Sequence, residues 1–269
     1  MQGDLTTLSR AQAWLGISNP SDASNVLLSR LISASSRFVM NFVQRTTFAP
    51  MTVTDCYDGT GRNFLVLRQW PVLQISSINF CGVSITTPAV GNPLAPGYLL
   101  ESLDTTGGSQ QRLSLVGYCF PRERSSVFVN YSYGYQITGE AQQVPTTSAY
   151  KITTTQMWLS DQGVTYANGT PMTYVSANPA QGQYTIDSLG NYVFSSGDSG
   201  AAVLISYGYV PFDVEQACIE LIGEAYRRKD RIGEVSKSLG GQETVSFSQK
   251  DMHDAIRLSL QPFLRVAPS

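Results

Sequence analysis

Ser199 sits in Gly197-Asp198-Ser199-Gly200, a tetrad in which a serine hydroxyl can serve as the nucleophile of acyl transfer. That chemistry needs a base within hydrogen-bond reach of the hydroxyl and an acid that orients the base. The chain has one histidine, His253, and it follows the serine, whereas chymotrypsin-like chains place it first. His253 also stands in Asp251-Met252-His253-Asp254, on a stretch that reads as an amphipathic, solvated helix. The tetrad is therefore expected to be a reversal between Phe194 and Val203, with glycines at positive φ and an Asx-type hydrogen bond. No catalytic residue and no cofactor are expected.

Other candidate chemistry is equally bare. Cys56, Cys81, Cys119 and Cys218 form no C-x-x-C, and with a single histidine no zinc site is expected. The thiols are expected to be free, buried and kept reduced. Gly59-Thr60-Gly61 lacks the Lys-Ser/Thr and the βαβ setting of a phosphate loop and reads as a hairpin turn. Asn130 and Asn168 match the glycosylation sequon but read as strand and turn residues. Asp55 and Asp58 are a carboxylate pair with nothing to place a substrate between them. The one basic cluster, Arg227-Arg228-Lys229-Asp230-Arg231, suits a helix C-terminus, and equally an acidic partner or a phosphate backbone.

Composition narrows the class. Of 269 residues 42% are hydrophobic and only 14% charged, well under the quarter or so that is usual. Such a surface suits a protein that buries its flanks against partners. Net charge is -2 and the pI is near 5.4, so general attraction to nucleic acid is not expected. No apolar run reaches the ~18 residues of a membrane span, and Met1 to Arg10 lack the pattern of a secretory signal.

The elements follow from periodicity. Residues 4–17 read as a helix with Asp4 at its N-cap and Leu5, Leu8, Trp14 and Leu15 on one face. A long amphipathic helix follows from Asn19-Pro20-Ser21-Asp22 to about Gln44, its apolar side including Val26, Leu31, Ile32, Phe38, Val39 and Val43. From 51 to 135 the period changes to two. Residues 140–209 hold one basic residue, Lys151, and several short strands at near-regular spacing, the pattern of a compact all-β module. Residues 211–230 return to helix with Pro211 at its start. A short strand at Glu243 to Phe247 and a final helix from Asp251 carrying Met252, Ile256 and Leu260 complete the chain. Ser132-Tyr133-Gly134-Tyr135 recurs as Ser206-Tyr207-Gly208-Tyr209, each copy after an apolar strand and before a Val-Pro. An insertion explains this: a strand once ran straight into the helix at Pro211, and the module between re-creates the exit.

The residues outside that module resemble the head–tail connector (adaptor) proteins of tailed bacteriophages. The resemblance runs through Leu5 to Leu8, Ala13 to Ile17, Leu27, Leu31 and Arg45, then Tyr57-Asp58-Gly59, Trp70-Pro71-Val72 and Ile75 to Ile78. It is nearest in Val210 to Ala217, Tyr226-Arg227-Arg228, Arg231 to Ser236, Gly240 to Ser246 and Leu260 to Arg265. Residues 136–209 depart from the family and resemble a small β module recurring in phage virion proteins. The resemblance implies an α+β fold: a helical connector core (1–50 and 210–269), a β subdomain (51–135) and an inserted sandwich-like all-β module (136–209). It also implies a dodecameric ring in the virion neck, made in the host bacterial cytoplasm and set beneath the portal protein. Double-stranded DNA would pass through it without sequence recognition, and a downstream neck, stopper or tail protein would attach below. Portal or subunit contacts are expected at Arg227, Arg228, Arg231 and Pro262-Phe263-Leu264-Arg265-Val266, with capsid or fibre contacts through the module and no membrane. The other reading is a virion surface module whose Trp158, Tyr166, Tyr174 and Tyr184 stack on glycan or receptor.

Overall fold

The computed structural model describes residues 3–89, 95–102, 111–228, 236–239, 243–246 and 252–265. The chain opens with α1 (Leu8–Leu15), capped by the Thr7 hydroxyl, which accepts from the Arg10 amide; Asp4 lies a turn too early for that role. The second helix, α2 (Asp22–Val43), is capped by Ser21 and ended by Gln44 in the left-handed conformation. Its buried stripe is Leu28, Ile32, Ser35, Ser36, Val39 and Val43, a spacing of three and four. Ser36 uses its small size and its hydroxyl together, accepting from the Leu5 amide at 2.9 Å beside Cys218. Among the described residues α2 is long and apolar enough to cross a membrane, but this stripe is buried in the protein.

Strands then dominate. The sheet β1-β7-β3-β4 is built from β1 (Met51–Tyr57), β7 (Val127–Tyr133), β3 (Val72–Phe80) and β4 (Val83–Ile85). A second sheet joins β2 (Phe64–Val66), β6 (Gln111–Val116) and β5 (Gly97–Ser102). The two share one cluster around Tyr57, Ile78, Leu113, Leu115, Val129 and Tyr131. Further on, β8 (Gln136–Gln143), β14 (Ala202–Val210) and β10 (Met157–Tyr166) form a sheet with β14 central. It shares a separate cluster with the sheet of β9 (Lys151–Ile152), β13 (Tyr192–Phe194), β12 (Gln183–Ile186) and β11 (Thr173–Tyr174). Every residue of that cluster lies between 137 and 209. A two-stranded ribbon, β15 (Ser236–Leu239) with β16 (Glu243–Ser246), follows α3 (Phe212–Arg228), and α4 (Asp254–Leu260) precedes a 3-10 turn at Gln261–Phe263.

The expectation of an α+β fold organised on a helical connector core is overturned: strands take 36% of the chain against 26% for helix, and no such core is seen. The four helices among the described residues make one of the three apolar clusters. The strands are more numerous than the sequence suggested: β5 and β6 add a second sheet within the period-two region, and polar β8 is held as a strand by its pairing with β14. The helical cluster is also not closed by helices alone. Val210 on β14 and Met157 and Leu159 on β10 pack into it, so these two strands serve two clusters at once.

The repeated tetrapeptides meet in space. The Tyr209 amide donates to the Tyr135 carbonyl at 3.1 Å, and the two rings cross edge to face at 5.9 Å. Both glycines face the Ala49-Pro50 segment: a Cβ on Gly134 would lie 2.6 Å from the Ala49 oxygen, one on Gly208 2.3 Å from Pro50 Cδ. The ingoing strand β8 and outgoing strand β14 are hydrogen-bonded neighbours from this point, with Gln136 opposite Gly208. Gly208→Ala is expected to cost about 1–3 kcal/mol by overpacking, because the added methyl also meets Ser160 Oγ at 2.5 Å. Urea unfolding of the two proteins measures it; an unchanged midpoint would show that the joint is loose.

Candidate functional site

The Gly197-Asp198-Ser199-Gly200 tetrad is a 3-10 turn, Ser196–Asp198, leading into β14. Asp198 is buried. Its carboxylate accepts the Tyr166 hydroxyl at 2.5 Å and the Gly182 amide at 3.1 Å, so it fastens the turn to β10 and to the loop before β12. The open pocket beside it, about 670 Å³, is lined by Ser199 with neutral side chains such as Asn168, Thr170 and Gln181. His253 stands at the N-cap of α4 and pairs with Glu224 on α3 at 3.0 Å. The structure thus places the serine in the β module and the histidine among the helices.

The same device recurs through the strands. Asp161 accepts the hydroxyls of Tyr184 at 2.6 Å and Tyr192 at 2.9 Å. Asp55 accepts Tyr131 at 2.7 Å and Tyr57 at 3.2 Å, and Glu140 accepts Tyr207. Asp58, the other half of the sequence pair, binds the Ser125 amide instead. Carboxylates are held by phenols in place of cations, which lets a chain with few charges bury acidic groups. Burial pushes the Tyr57 phenol up to about 12, and the Asp198 hydrogen bond does the same for Tyr166. Tyr131, Tyr184, Tyr192 and Tyr207 are raised as well, chiefly by burial. For Glu140 burial acts upward, but the bonds from Tyr207, Thr155 and Gln142 outweigh it and lower its value.

Of the expected contact residues, Arg227 and Arg228 are exposed in the last turn of α3, while Arg231 and Val266 lie outside the described residues. The segment from Pro262 to Arg265 is bound to its own chain. Phe263 is buried between Phe48 and Tyr135, its carbonyl accepts Arg45 Nε at 2.8 Å, Trp70 Nε1 donates to the Leu264 carbonyl, and the Arg265 amide donates to the Val43 carbonyl at 2.9 Å. Pro262 is exposed and Leu264 and Arg265 half-buried. The organiser is Arg45, 5% exposed, with Nη1 on the Trp70 carbonyl and its guanidinium 4.0 Å from the Trp70 ring. Burial lowers its pKa.

The helices show what the periodicity misplaced. Trp14, Val26 and Phe38 were expected inside and are 50%, 71% and 42% exposed. Val26 and Phe38 lie off the stripe that α2 buries, where Ser35 and Ser36 take the inward positions, and Trp14 lies in the open groove beside α3. Phe212 on α3 and Leu258 on α4 are exposed too. Between α1 and α3 a groove of about 370 Å³ is lined by Ala13, Trp14, Phe212, Gln216 and Ile219. Its floor carries Glu215, buried, bound by Arg10 at 2.5 Å and Thr6 at 3.0 Å. Burial raises the Glu215 carboxyl despite these partners.

Several glycan-stacking candidates are occupied. Trp158 Nε1 donates to the Tyr192 hydroxyl, Tyr184 is buried and Tyr166 holds Asp198; Tyr174 alone of the four stands more than half exposed. The thiols also differ from expectation: Cys218 is buried, but Cys81 and Cys119 are exposed, both outside the strands. Among the described residues no cluster of histidine, cysteine or carboxylate is arranged to hold a metal. Compared with known proteins, the chain matches no family model and no curated sequence.

Two outcomes are expected. Folded-state tyrosine values above the unfolded value near 10 contribute stability that is full below pH 10 and lost as pH climbs from there toward 12. Tyrosinate absorbance should therefore rise together with loss of circular dichroism; gradual ionisation of a folded protein would refute the pairing. Arg45→Met should cost about 1–3 kcal/mol by stranding two buried carbonyls and should speed hydrogen exchange at the Arg265 amide. Unaltered exchange there would mean that the C-terminal segment is held without Arg45.

Proposed function

We propose that this chain is a structural subunit of a tailed-phage neck, a head–tail connector that assembles as a ring beneath the portal, extends the DNA channel and offers a platform to the next neck or tail protein. One observation carries the reading: each of the four helices presents a large apolar side chain to solvent, Trp14, Val26 and Phe38, Phe212, and Leu258. Trp14 and Phe212 line one groove together, and grouped exposure of that kind marks association surfaces. A ring subunit has two such flanks, each buried in a heterologous contact that closes by rotation. The sequence resemblance supports the same class. Arg227 and Arg228 at the end of α3 remain candidates for contacts with a neighbouring copy or the portal, as do exposed Pro262 and half-buried Arg265 in the C-terminal segment. The acidic, sparsely charged composition fits a conduit that must not hold its DNA.

The deciding measurement is the protein's copy number in purified virions relative to portal, by quantitative mass spectrometry. A ratio near one to one is expected. A large excess would make it a decoration protein, and absence from the particle would end the connector reading. Phe212→Ser, at a position 65% exposed, should leave a folded protein that fails to enter particles.

A further inference from the structure

The outer face of the β1-β7-β3-β4 sheet carries no charge. Register places Thr52, Ser132 and Gln74 side by side, then Thr54, Asn130 and Ser77, then Cys56, Phe128 and Asn79. The inner positions of β7 are buried, and Asp55 is turned inward to the tyrosine hydroxyls, so the acid of this sheet is withdrawn from the open face. At the Ser132 end the face runs into a concavity of about 440 Å³, closed on its far side by β8 and β10. Six neutral polar side chains converge there: Thr52, Gln74, Ser132, Gln136, Thr138 and Gln162. Exposed Met51 and Leu73 supply an apolar wall.

The hydrogen-bonding state of these groups decides what fits. Among the described residues the side chains of Thr52, Gln74, Gln136 and Thr138 make no hydrogen bond, and Gln162 makes one, to Ser160 Oγ at 3.3 Å. A charged ligand would find no counter-charge. An apolar one would strand several donors and acceptors, each at a cost comparable to a lost hydrogen bond. An uncharged ligand that both donates and accepts at many points, and has an apolar face for Met51 and Leu73, satisfies all of them. A sugar ring has that chemistry, and the volume is in the range of small-ligand sites. Beyond the concavity Phe128, 46% exposed, offers an aromatic face at the far end of the same rows.

We infer that the concavity between β1-β7-β3-β4 and β8–β10 binds an uncharged saccharide, and that the sheet face is the track for further sugar units. The site is distinct from the aromatic residues of the β module and does not rest on assembly into a ring, so the virion measurement and this one can fail separately.

The test uses the full chain and a panel of neutral probes (maltose, cellobiose, lactose, chitobiose and mannobiose with their longer oligomers), with glucuronic and sialic acids as charged comparators. Heteronuclear NMR follows the side-chain amides. The expected result is saturable shifts at Gln74, Gln136 and Gln162 with at least one neutral sugar, and none with the acids. Gln136→Ala and Thr138→Ala should each weaken binding roughly fivefold with unchanged thermal unfolding. Phe128→Ser should weaken the longer oligomers only. No shifts with any neutral probe, equal response to the acids, or shifts centred on Tyr174 would overturn the inference. So would amide shifts that follow protein concentration and ignore sugar, since the face would then be covered by a second copy.

Discussion

Arg45 is a buried cation that pairs with no carboxylate among the described residues. Its positive charge is accommodated by two main-chain carbonyls, Phe263 and Trp70, and by the faces of Trp70, Phe48 and Tyr135 at 4.0–6.0 Å. Such a site is stable only while all its walls are present, because removing any one returns part of the desolvation cost. The walls come from the start of the link after α2, the turn before β3, the joint after β7 and the segment after α4. Parts of the chain more than two hundred positions apart are therefore tied to one guanidinium. The helices, the first sheet and the C-terminus depend on it for their relative placement.

Tyr135 connects this centre to the β module. Its ring lies over Arg45, Phe263 and Tyr209, and its carbonyl takes the Tyr209 amide. The module thus joins the rest of the protein at the point where the cation is held, with both repeated glycines clearing the Ala49-Pro50 segment. Inside the module the polar problem is solved differently. Asp161, Asp198 and Glu140 are held by tyrosine hydroxyls, which are apolar enough to pack and polar enough to donate. A phenol–carboxylate pair satisfies the acid without importing a second charge that would itself need desolvation. One chemical choice accounts for both the low charge count and the density of buried tyrosines.

Much of this was legible in advance. The existence of the two N-terminal helices, the change to period two at residue 51, the short strands after 140 and the turn role of the Gly197 tetrad all follow from spacing and turn chemistry. What was not legible has physical causes. β5 and β6 have apolar residues on both sides of glycines that break any periodic signal, and β8 is too polar to announce itself without its partner. Trp14, Val26 and Phe38 look like core residues because hydrophobicity does not say which of two apolar arcs a helix buries; the small pair Ser35-Ser36 was the available clue. Arg45 entered only through the family resemblance, since nothing local marks a residue whose partners arrive from positions 70, 135 and 263.

The surface left by these choices is unusual in where it lacks charge. Acids have been drawn inward to tyrosines in both β regions, and the principal interior base is enclosed by aromatics. Beside the exposed charges, such as Arg30, Arg37, Arg227 and Arg228 on the helices, two uncharged chemistries reach solvent: apolar side chains on the helices, and hydroxyls and amides on the first sheet and at its seam with β8. Apolar patches gain by excluding water and favour protein contacts of large area, whereas neutral polar faces gain only from a ligand that replaces water bond for bond. A subunit that must assemble on one side and meet something hydrated on the other has reason to keep those chemistries apart. Charge on either face would weaken both, by desolvation in the first case and by retained hydration in the second.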